Sequence, residues 1–232
     1  MKNILLIGGS YGIGLAIAKE LQFENNIYIA SRSNENLVDV KATYIPFDAT
    51  TDTIDTSLLP TIIDGLVYCP GSINLRPFKG IKPEAFEADL QINFISLVKV
   101  IQSVLPNLLA SEQASIVTFS SVAASMGMPF HTSVSAAKGA IEGFAKALAA
   151  EYAPKIRVNV IAPSLTDTPL ADKFLNNETK QEKSAERHPL KRFGKPEDSA
   201  QMATFLLSDK SSWISGQIFH VDGGMSTLLV NG

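Results

Sequence analysis

Cysteine is almost absent from this chain. Cys69 is the single one among 232 residues, so no internal disulfide can form and nothing asks for an oxidising compartment. A surplus of one charge is missing too. Lysine and arginine (20) nearly balance aspartate and glutamate (23), and no dense basic run occurs, which removes the footprint that nucleic-acid binding leaves. No uninterrupted apolar run approaches the ~18 residues of a membrane span, and the apolar stretch in MKNILLIGGS ends at two glycines, too soon for a signal-peptide core. These absences leave a cytoplasmic enzyme or binding protein, with a small-molecule partner and neither nucleic acid nor membrane as the expectation. A content of 45% hydrophobic and 19% charged residues is that of an ordinary globular domain. Apolar segments alternate in type with no linker between them, so one domain over residues 1–232 is expected.

What is present is a repeating strand-helix pattern. Ile4 to Ile7 reads as a buried strand, followed by Gly8-Gly9-Ser10-Tyr11-Gly12-Ile13-Gly14 and a helix with Leu15, Ile17, Ala18 and Leu21 on its apolar side. Strand, glycine turn and helix in that order bring the backbone close to a pyrophosphate and aim a helix N-terminus at it. The spacing here is G-x-x-x-G-x-G. Asn26 to Ala30 forms a second strand, ending in Ser31-Arg32-Ser33. An acidic residue at that point accepts from a ribose hydroxyl, whereas an arginine pairs with a 2′-phosphate, so Arg32 favours NADP over NAD. Thr43 to Phe47 is a third strand leading to Asp48-Ala49, where Asp48 either caps the next turn or holds an adenine amino group. Gly65 to Cys69 is the fourth, running into Pro70-Gly71.

A long helical region, Pro83 to Leu109, carries Asn93 on an otherwise apolar face, either as structural glue or as part of a site. The stretch from Val117 to Lys138 organises the rest. A strand at Ile116 to Phe119 breaks at Ser120-Ser121, and a helix follows from Ser133 to Tyr152, so that a strand-end hydroxyl and Lys138 face one crevice. Ile156 to Ile161 is a further strand, ahead of Ala162-Pro163-Ser164-Leu165-Thr166-Asp167-Thr168. Leu170 to Lys195 is the most polar part and reads as a mobile helix or lid. Pro196 to Leu207 is an amphipathic helix, and Gln217 to Val221 a last strand before Asp222-Gly223-Gly224. The whole predicts an α/β, single-domain Rossmann fold with a doubly wound parallel sheet of about seven strands.

Taken together these features resemble the short-chain dehydrogenase/reductase family over nearly the whole chain. The residues that carry the likeness are Gly8-x-x-x-Gly12-x-Gly14, Asp48, Asn93, the strand to Ser120-Ser121, Lys138, Pro163 to Thr168 and Val221-Asp222-Gly223-Gly224. The resemblance implies an NAD(P)-dependent oxidoreductase and a homo-oligomer, tetramer or dimer, with NADP the expected cofactor and NAD possible. On the cofactor side it points to Gly8, Ser10, Tyr11, Gly12, Ile13, Gly14, Ser31, Arg32, Asp48, Ala49, Pro70, Gly71, Lys138, Pro163, Thr166 and Thr168. On the catalytic side Ser121, Lys138 and Asn93 match a set in which serine positions a carbonyl, lysine holds the nicotinamide ribose and asparagine anchors a water.

The family's Y-x-x-x-K pattern would put a tyrosine four residues before Lys138, and that position is Val134. Other departures are Ile7 for the threonine that leads the glycine motif, Tyr68-Cys69-Pro70-Gly71 at the end of the fourth strand, and Pro163-Ser164 in place of Pro-Gly. Three readings follow. Another group delivers the proton, with His131 the foremost choice and Ser133, Ser135 and Tyr68 behind it. Alternatively the reaction needs no strong acid. In the third, the protein binds nucleotide without turnover, as a sensor or partner subunit.

Overall fold

The computed structural model describes residues 1–230, so the last two residues of the expected domain, Asn231 and Gly232, lie outside the described part. Among the described residues the elements run β1 (Lys2–Ile7), α1 (Gly12–Leu21), β2 (Asn25–Ser31), β3 (Thr43–Pro46), β4 (Gly65–Tyr68), α2 (Pro83–Leu90), α3 (Ser96–Leu109), β5 (Ala114–Phe119), α4 (Thr132–Tyr152), β6 (Ile156–Pro163), α5 (Asp172–Leu175), α6 (Glu178–Glu186), α7 (Pro196–Leu207) and β7 (Ile218–Val221). The strands form one seven-stranded sheet in the order β3-β2-β1-β4-β5-β6-β7, every neighbouring pair parallel. The chain leaves β1 towards one edge and returns beside it with β4. That reversal opens a crevice beyond the carboxyl ends of β1 and β4.

Both faces of the sheet are covered, which explains why its strands read as near-continuous apolar runs. Alternate residues of each strand point to opposite faces. Leu5, Ile7, Leu66, Ile116 and Val158 pack with Leu97, Val100, Ile101, Val104 and Leu108 of α3 and Ile141 and Ala145 of α4. On the other face Ile4, Leu6, Val67, Val117 and Ile161 meet Ala16, Ile17 and Leu21 of α1 and Ala200, Ala203, Leu206 and Leu207 of α7. Each Leu or Ile buried this way contributes roughly 1.5–3 kcal/mol. The helical stretch Pro83–Leu109 is the one segment among the described residues long and apolar enough to cross a membrane, with a mean hydropathy of 1.5. In this fold the apolar side of α3 lies on the sheet instead.

That stretch is not one regular helix. A π turn over Gln91–Ile95 separates α2 from α3, and Asn93 lies fully buried inside it. Its Nδ2 donates both to the Asp89 carbonyl (2.8 Å) and to Ser72 Oγ (2.9 Å). The widened turn aims the amide at the crevice, as π turns at functional sites do. A second difference concerns residues 170–195, read from polarity as a lid. Three short helical pieces occupy most of it, and Ala171, Leu175, Ser184 and His188 are buried beneath an exposed polar outer side. The anchors are too sparse to give an apolar period, so composition alone hides them.

Candidate active site

A cavity of about 830 Å³ opens at the carboxyl ends of β1, β4, β5 and β6, and its lining begins with the glycine turn. Gly8 and Gly12 adopt positive φ (78° and 52°), a region that favours glycine. A Cβ on Gly14 would stand 2.4 Å from the Gly8 carbonyl oxygen, so the third glycine is required by closeness, not by its own dihedral. Tyr11, extended, leads into α1, whose N-terminus carries neither a side-chain cap nor an acid in its first turn. The free amide donors and positive dipole end are suited to an anionic group.

Ser10, Tyr11 and Ile13 line the same wall, with Ser31 and Arg32 at the end of β2. Arg32 is exposed at the rim. Asp48 Oδ1 accepts from the amide and the hydroxyl of Thr50 (2.8 and 2.6 Å), and these bonds, with Arg32 nearby, hold its carboxyl below the usual carboxylate range. Asp48 thus caps the turn after β3, the first of its two expected roles, while it and Ala49 also face the cavity.

Pro70, Gly71, Pro163, Thr166 and Thr168 complete the cofactor-side positions read from the sequence, and all of them line the cavity. Gly71 is where the polar interior converges. A Cβ there would lie 3.0 Å from Asn93 Oδ1 and 3.3 Å from Lys138 Nζ. Lys138 is 8% exposed and donates to the Phe119 carbonyl (2.8 Å). Burial pulls its pKa down to about 8, with Cys69 and Asp89 acting in the opposite sense. Burial also pushes the Cys69 thiol up to about 12, so at neutral pH that thiol is uncharged.

Asp89 was not singled out by sequence reasoning. It is 3% exposed, its Oδ1 accepts from Ser72 Oγ (2.5 Å), and its Oδ2 has no hydrogen-bond partner; Asn93 Oδ1 is likewise unpartnered. The available signal was its position four residues before Asn93, one turn away on the same helical face. Ser72 carries this network to the cavity wall.

The catalytic positions are only partly brought together. Ser121 lines the cavity and its Oγ accepts from the Ala123 amide (3.2 Å). Asn93 stands behind Gly71, outside the lining itself. His131 is not among the lining residues: it precedes α4, and its Nδ1 bonds the Pro129 carbonyl (2.7 Å) two residues back. Tyr68 is no donor to the cavity either, since its hydroxyl is buried and donates to the Ile92 carbonyl (2.7 Å). Ser133 and Ser135 also lie outside the lining, whereas Val134 faces it one helical turn before Lys138.

One pair went unread in the sequence. His188, 3% exposed, bonds through Nδ1 to the Ser184 carbonyl (2.6 Å) and through Nε2 to Ser164 Oγ (2.8 Å), and Ser164 lines the cavity. The stretch that separates Ser164 from His188, 24 positions further along, contains no pattern that announces their meeting.

Residues 8–226 match the family described as enoyl-(acyl carrier protein) reductase. The 3-oxoacyl-(acyl-carrier-protein) reductase of Thermotoga maritima is 39% identical over 164 residues, which span 70% of this chain and 66% of that protein. The 2-(S)-hydroxypropyl-CoM dehydrogenase 3 of Xanthobacter autotrophicus is 33% identical over 98% of both chains. Among solved structures, the ligand-free aldohexose dehydrogenase of Thermoplasma acidophilum superposes with a TM-score of 0.89 at 27% identity, covering 100% of this chain and 96% of its own. Fold, glycine turn and sequence likeness converge: the chain belongs to the short-chain dehydrogenase/reductase family of oxidoreductases.

Proposed function

We propose that this protein is an NADP-dependent reductase that acts on a small-molecule substrate and obtains its proton from a group other than a phenol on α4. The observation that carries the reading is the cavity's uneven endowment. The end formed by the glycine turn, Arg32 and the α1 N-terminus is furnished for a phosphorylated nucleotide, whereas Val134 stands where the family pattern puts its tyrosine. The residues present fit a dinucleotide, because Gly14 leaves the backbone clear of any side chain and the α1 amides are uncapped. Reduced nicotinamide, when bound, supplies the hydride. Arg32 is placed for a 2′-phosphate, Lys138 retains ammonium protons for ribose hydroxyls beyond the one given to Phe119, and the unpartnered Asn93 Oδ1 is free to accept from a water.

Several relatives are, by name, 3-oxoacyl-(acyl-carrier-protein) reductases, so acetoacetyl-coenzyme A is the first substrate probe, within a panel of ketones, aldehydes and activated alkenes. NADPH absorbance is expected to fall with at least one member, and faster than NADH absorbance. No loss across the panel, with NADPH bound, would favour the second reading: a nucleotide-binding sensor or partner subunit. Val134, which has no proton to give, is the feature behind that alternative.

A further inference from the structure

We propose that Ser164 and His188 form the proton-delivering pair of this cavity, with Ser164 the catalytic hydroxyl and His188 the positioning and proton-storing residue behind it. The inference rests on the reductase reading above.

The hydrogen bonds fix how protons are shared. Nδ1 of His188 faces the Ser184 carbonyl at 2.6 Å, and a carbonyl only accepts, so Nδ1 carries a hydrogen. Nε2 is therefore the variable nitrogen. In the neutral ring it accepts from Ser164, and in the imidazolium it donates to Ser164 Oγ at 2.8 Å and leaves the hydroxyl hydrogen free to turn into the cavity. The ring is held from both sides and 97% shielded from solvent, conditions under which a proton relay keeps its geometry.

Placement supports the role. Phe119 of β5 pairs with Ile161 of β6, so two residues further on Ser121 comes level with Pro163, and Ser164 follows directly. Ser121 and Ser164 thus stand at the same end of adjacent strands, and both line the cavity with Val134 and Lys138. The other buried polar pair on this wall is less suited. The Ser72 hydroxyl donates to Asp89 Oδ1 at 2.5 Å and accepts from Asn93 Nδ2 at 2.9 Å, so it is committed on both sides.

The step balances. The substrate's carbon accepts the hydride that reduced nicotinamide supplies as the C=X π bond breaks, and X takes the Ser164 hydroxyl proton. Ser164 Oγ then takes the Nε2 proton of the imidazolium. The neutral imidazole recovers a proton from water when the products leave.

The test compares wild type with S164A, S164T and H188Q, using NADPH and whichever panel substrate is turned over, with ring nitrogen NMR of the nucleotide-free protein alongside. S164A and H188Q are expected to lower kcat on the order of 10²–10⁴-fold while NADPH affinity stays unchanged, which also reports a folded cavity. S164T, which keeps the hydroxyl, should restore most of the rate. In the nucleotide-free protein His188 should show a hydrogen on Nδ1, with an Nε2 resonance displaced by S164A. Turnover retained in S164A, or an Nε2 signal indifferent to it, overturns the pair and leaves the reductase reading standing. NADPH bound without turnover by wild type on every probe overturns both.

Discussion

Lys138 has an ammonium where water is scarce, and that has a consequence for stability. Its pKa falls from the usual 10.5 to about 8, burial being the main cause. Between those values the unfolded chain binds a proton that the folded one has released, so stability should rise with pH across that window and level off above it. The full effect is roughly 3 kcal/mol. Denaturant melts of wild type against Lys138→Met between about pH 8 and 10.5 check this: the difference between the two should grow with pH, and parallel curves would refute it. Arg32 belongs to the same scale. Arg32→Ala should weaken NADPH much more than NADH in calorimetric titrations, because only the first carries the 2′-phosphate, and equal losses would refute the assignment. The glycines, Lys138 and Asn93 were legible because each belongs to a spaced motif. Asp89 and His188 were not, since one looks like a surface acid of an amphipathic helix and the other like a loop residue until burial is known.

The strand-turn-helix unit formed by β1, Gly8–Gly14 and α1 is the element on which nucleotide binding depends. Gly14→Ala would drive a methyl into the Gly8 carbonyl oxygen, 2.4 Å away, a backbone atom that cannot swing aside. The expected result is a loss of ~1–3 kcal/mol or more in stability, together with loss of NADPH binding; a variant that melts and binds like wild type would contradict it. Element order and type were readable because parallel strands buried on both faces keep their apolar runs intact. Strand ends were less so: β6 runs on to Pro163 and β2 begins at Asn25, where hydrogen bonding continues past the apolar residues. The π turn was invisible to pattern reading, because the apolar residues run on to either side of Asn93 and the bonds of its amide to Ser72 and the Asp89 carbonyl leave no mark in the sequence.

At the scale of the whole molecule, the sheet ends in β7, a short edge strand, and Trp213 (99%) and Leu229 (96%) are exposed. We propose that copies of the chain associate and cover such side chains, as the family resemblance suggests. Light scattering on the eluted full chain should give a dimer or tetramer mass, and a monomer at every concentration would refute this. We propose that the cavity is a nicotinamide nucleotide site that tells NADPH from NADH. A calorimetric titration of the full chain with each nucleotide tests it most directly. One saturable site per chain with tighter binding of NADPH is the predicted result, and no binding of either nucleotide, or equal affinity for both, would contradict it.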